Sequence, residues 1–235
     1  MNPATSTSST PSQLLAAGRW DLYGPVHKGL RRRHAQLLQR IGSADFAGDI
    51  TPLLADLRGH LQMAAVHLID EEIHIHRRLD ARAPDATVML ESQHNGHRHH
   101  LDALEEAIRA LEAQSHRTSL CGHSLYLAFT RFVAEDLLHM AHEEEVTWPL
   151  LCSLYSDDEL AGIEAEIVAS LPPALSAAIT STMVAAVNTP QRIHLLRGIQ
   201  AHAPAGDYAT LLDAVVKPAL SEEEQQPLRA LGLLD

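Results

Sequence analysis

Two short segments of the chain carry the same pair of functional groups at the same spacing. His67-Leu-Ile-Asp-Glu71 and His139-Met-Ala-His-Glu143 each place an imidazole and a carboxylate four residues apart. On a helix, residues i and i+4 lie one above the other on a single face, so each pair can offer a nitrogen and an oxygen to the same point. His94, and either His27 or His34, stand on other stretches with a helical period. Imidazole with carboxylate is the donor mixture of borderline metals, iron first and manganese or zinc after it. A carboxylate buried with no cation beside it is strongly penalised, so such a set argues for an occupied site.

Four helices have to bring these groups together. The pattern predicts helices over 25–41, 51–79, 86–112 and 119–148, with Pro25 suited to a first turn and Pro149 unable to continue the ladder. The third is the most regular: Leu90, His94, His97, Leu101, Leu104, Ile108 and Leu111 alternate spacings of 3 and 4 and form one seam. Nothing alternates with the period of a strand. The fold class expected is therefore all-α, an up-down-up-down four-helix bundle followed by short helices. Counting residues from the shared loops puts His27 level with His67, and His94 level with His139. At about 1.5 Å per residue, His34 falls about 10 Å away, level with His60. The expected ligands are thus His27, His67, Glu71, His94, His139 and Glu143, with His34 and His60 a hydrogen-bonded layer walled by Phe132 and Leu101. His97 and His74 share the inward stripes and are either further imidazoles or wall.

Composition fits a soluble protein whose anomaly is histidine. The 235 residues hold 16 histidines, 30 carboxylates and 18 Lys+Arg, a net charge of −12. That balance is wrong for sequence-independent nucleic-acid binding. No apolar run approaches the roughly 18 residues of a spanning helix, so no membrane partner is expected. Residues 1–20 read as a disordered Ser/Thr/Pro tail without a secretory signal, residues 21–155 as the bundle, and residues 156–235 as a helical extension. Capping boxes at Ser156–Glu159 and Ser221–Glu224 punctuate that extension, which could mediate a homodimer. Cys121 and Cys152 lie at opposite ends of one expected helix, too far apart to pair, which fits a reducing cytoplasm.

The order His, HxxxE, His, HxxxE on four successive helices resembles the hemerythrin-like proteins with an HHE cation-binding domain. The resemblance covers roughly residues 21–155. It extends to His27-Lys-Gly-Leu-Arg31, to Glu72 after Glu71, and to Glu144 with Trp148-Pro149-Leu150-Leu151 after Glu143. It implies two iron ions in a non-haem centre bridged by Glu71 and Glu143, with dioxygen or nitric oxide as small diatomic partner, or a report on iron or redox state. The chain departs from the oxygen carriers in two places. Arg98 stands four after His94 where they have a histidine, and Glu143 follows His139 by four where they have an aspartate at five.

Competing readings of the same residues are weaker. A ferritin-like site needs ExxH on two helices and Glu on the other two; Glu71–His74 and Glu91–His94 match, but helix 1 has no carboxylate and helix 4 no ExxH. His76, His99, His100, His116 and His123 fall off the seams and read as solvated surface, and His142 as surface or a flank of the site. Three functions fit: a gas- or redox-responsive protein, a di-iron enzyme of oxidase or peroxidase type, and a histidine-rich metal store.

Overall fold

The computed structural model describes residues 9–235 and is all-helical, with no strand among the described residues. No helix among them is long and apolar enough to cross a membrane. The chain forms two compact units.

The first unit holds residues 9–23 and 34–169. Its helices are α1 (Pro11–Ala16), the second half of α2 (Gly24–Ser43), α3 (Thr51–Asp70), α4 (Arg77–Arg82), α5 (Val88–Glu112), α6 (Gly122–His142), α7 (Trp148–Leu154) and α8 (Asp157–Ser170). α5 packs along α6 and α3. One apolar core draws Leu37 and Ile41 from α2, Leu54, Leu57 and Leu61 from α3, Leu104 and Ile108 from α5, and Phe129 and Phe132 from α6. Each such side chain contributes about 1.5–3 kcal/mol by leaving water. Gly122 lets α6 start against this core, because a Cβ there would lie 2.0 Å from the Phe46 ring. A second core joins Ile75, Leu79, Trp148, Leu151 and Leu160. Along both histidine-carboxylate helices the ligand pair falls between these two cores, which shields it from water.

Both pairs end in the same local irregularity. A π-helical segment begins at Glu71 (Glu71–His76) and another at Glu143 (Glu143–Thr147). Single π turns inside α-helices are uncommon and cluster at functional sites. They also explain why the helix expected to stop at Pro149 continues through α7: the change of ladder register at a π turn leaves a position that needs no amide donor, and Pro149 sits there.

Two boundaries differ from expectation. Residues 1–8 of the expected disordered tail lie outside the described residues, but Pro11–Ala16 is helical, started by a Thr10–Gln13 capping box and anchored by buried Leu14. α8 belongs with the first unit rather than with an extension from 156, tied in by Arg78 and Arg82 on Glu166 and Glu159.

The second unit holds Gly24–Arg33 and Ser170–Asp235. It comprises α9 (Pro173–Ala186), α10 (Thr189–His202), α11 (Ala205–Leu211), a π segment (Leu212–Val216), α12 (Lys217–Ala219) and α13 (Glu222–Arg229), around Val184, Leu196, Tyr208, Leu212 and Leu228. The first half of α2 joins it through Lys28, whose Nζ donates to Gln191 at 2.6 Å. The capping boxes at Ser156–Glu159 and Ser221–Glu224 form as expected.

Candidate metal centre

Within the first unit, Glu71, His94, His139 and Glu143 are all buried, and one donor atom from each lies within 4.8 Å of the others. His94 Nε2 and His139 Nε2 are 3.1 Å apart. Glu71 Oε2 is 3.4 Å from His94 Nε2 and 4.0 Å from His139 Nε2, and Glu143 Oε2 is 3.3 Å from His139 Nε2. His67 Nε2 reaches the other oxygen of Glu71 at 3.1 Å. Donors around a metal with bonds of about 2.1 Å stand about 3 Å apart, so this group could hold a metal ion.

The outer nitrogens of the two imidazoles are held as well. His94 Nδ1 is 2.9 Å from Glu72 Oε1, and His139 Nδ1 is 3.0 Å from Gln93 Oε1. A carboxylate and an amide oxygen only accept, so each Nδ1 carries the proton and each Nε2 turns a lone pair inward, the arrangement found behind metal-bound histidines. Glu72 is fixed in turn by Arg98. Burial pushes the Glu72 carboxyl up, but Arg98 and His94 outweigh it and hold the group below its usual range. His94 is opposed by burial too, yet Glu71 and Glu72 raise its affinity for a proton. Two lone pairs facing each other at 3.1 Å need positive charge between or beside them, from protons or from a metal cation.

The remaining expected residues lie in different surroundings. His27 is fully buried, on the part of α2 that belongs to the second unit, so its place in the ligand set stands on sequence register alone. His34 and His60 form the hydrogen-bonded pair anticipated for them, with His60 Nε2 2.9 Å from His34 Nδ1 and the ring of Phe132 5.5 Å from that of His34. His97 is buried with its ring 4.9 Å from that of His139, and burial depresses it to about 4, but it stays outside the group of four. His74 is half-buried and faces Glu166 at 3.7 Å. His99, His116 and His123 are exposed, as expected of surface residues, and His100 is partly so.

One surface assignment is overturned, and two partners escaped the sequence reading. His76 is 2% exposed, its ring 4.9 Å from that of His94, and burial depresses it to about 4. The π segment inserts an extra residue into the turn and swings His76 inward, where an unbroken α-helix would point it out. Asp136, one turn before His139, is buried and accepts from His34 Nε2 at 2.6 Å. Tyr23 is fully buried, and its phenol is pushed well above its ordinary value by burial and then by the charges of Glu143 and Glu71.

Comparison with known proteins returns no matching family model, no matching curated protein and no matching solved structure.

Proposed function

We propose that this chain is a non-haem di-iron protein of the hemerythrin-like kind, built on a four-helix bundle, that binds dioxygen or nitric oxide or responds to iron and redox state. The observation that carries the reading is the pair of Nδ1-anchored imidazoles, His94 and His139, turning their Nε2 atoms toward each other beside Glu71 and Glu143. The donors fit the group. Glu71, His94, His139 and Glu143 would hold iron, with His67 adjoining Glu71 and His27 added on register. The metal would supply the open coordination position and the redox change, while the chain fixes the tautomers and keeps the centre dry.

A store that relied on exposed histidines would not need Nδ1 partners for its ligands.

The test is metal analysis with optical spectra of anaerobically loaded protein, before and after oxygen or nitric oxide. Two irons per chain and near-ultraviolet charge-transfer bands are expected. Metal binding should also release protons, because the cation takes the place of the protons that would otherwise sit between the facing Nε2 atoms. Glu143→Ala and His139→Ala should each lose at least one metal, whereas exposed His99→Ala should lose none. Equal loss in all three variants defeats the assignment, and loose, variable stoichiometry would instead indicate a store.

A further inference from the structure

We infer that the cleft between the segment 72–80 and helix α5 is the port through which a divalent cation reaches the buried centre, with His76 the ligand that receives it on the way. The inference rests on the reading of Glu71, His94, His139 and Glu143 as a metal centre. The cleft encloses about 370 Å³, and its walls include Glu72, His76, Asp80 and Glu91, with Arg77 and Arg98. Arg98 is already neutralised by Glu72. Three carboxylates against two guanidiniums leave the cleft with a net negative charge, suited to a cation.

Two features tie the cleft to the centre behind it. Glu72 lines the cleft and also accepts from His94 Nδ1. His76 lines it too, with its ring 4.9 Å from that of His94. Neither ring nitrogen of His76 has a hydrogen-bond partner among the described residues, although the side chain is almost wholly buried. Leaving such a group unsatisfied is costly, and a ligand passing through would offset that cost.

The other arm of the centre has no such residue. Five positions after Glu71 stands His76; five after Glu143 stands Trp148, whose Nε1 donates to Trp20 O at 2.8 Å and which packs into the second apolar core. A hydrated divalent ion gives up its waters as protein ligands replace them, and imidazole with carboxylate does this where indole cannot.

The experiment is anaerobic mixing of the metal-free full-length chain with cobalt(II), a redox-inert probe, followed by its visible absorption. His76→Phe, which keeps the ring volume, should slow loading by about tenfold while the final cobalt content and spectrum match the wild type. Exposed Glu91→Gln should slow it less, and that difference should fade in high salt. Because Glu91 lies on the rim, this second variant tests the port even if His76→Phe fails to fold. Unchanged loading rates overturn the proposal. Lower cobalt content at saturation in His76→Phe overturns it too, since His76 would then be a resident ligand. Failure of the wild type to bind cobalt would strike the metal-centre reading itself.

Discussion

The two units bury polar groups to different ends. In the second unit, Arg192 is 3% exposed, and its guanidinium donates to Val184 O and Val187 O at the end of α9 and to Glu224. Gln225 likewise donates to Lys217 O and Leu220 O. These side chains satisfy carbonyls that helix ends leave without donors, and they do so one at a time. In the first unit, the buried groups are titratable and meet one another: His60 on His34, His34 on Asp136, His94 on His139 beside two carboxylates. Two imidazoles, His76 and His97, even carry ring nitrogens with no hydrogen-bond partner among the described residues. Saturated single caps maintain a fold. Converging, incompletely satisfied groups cost stability and are retained where something binds.

That contrast predicts unequal costs. Asp136→Leu should be the more damaging change, because it strands the His34–His60 pair in an apolar interior beside Phe129 and Phe132. Loss of one partner from a buried charged pair costs about 3–5 kcal/mol, readable as a fall in the urea midpoint. Arg192→Met should cost less, about 1–3 kcal/mol, since it leaves two carbonyl acceptors at the end of one helix. The folded Arg192 variant should keep the full metal content of the wild type. Similar costs for the two changes, or metal loss in the Arg192 variant, would break the distinction between the units.

The parts of the centre that follow from a regular helix were legible in the sequence. The four-residue spacing of His67 with Glu71 and of His139 with Glu143, the seam through His94, and the shared level of His34 and His60 all depend only on 3.6 residues per turn. What was hidden depends on where that period breaks. A π turn at Glu71 brings His76 inside, and a second at Glu143 carries the helix past Pro149 to Leu154. Neither has a sequence signature as plain as a proline or a cap. Asp136 lay on the same face as Phe132, His139 and Glu143, so its burial could have been read from spacing. Its partner could not, because only the packing of α6 against the second half of α2 sets Asp136 opposite His34. Glu72 and Gln93 similarly gain their roles from side chains reaching across to the neighbouring helix.

The finest test of the converging interior is its response to acid. Burial alone would raise the Asp136 carboxyl, but the His34 hydrogen bond, with the charges of His34, His97 and His139, outweighs it and lowers the group to about 2. A carboxyl that titrates lower in the folded chain than in the unfolded one stabilises the fold above its unfolded value of about 4, and this contribution is lost as pH falls toward the folded value. Asp136→Asn keeps the shape and removes that titration. In the metal-free protein, the stability gap between wild type and Asp136→Asn should shrink by about 2 kcal/mol as pH falls from about 4 toward 2. The comparison is by urea unfolding at stepped pH. A gap that stays constant through that window would mean the His34–Asp136 contact holds no ionic character.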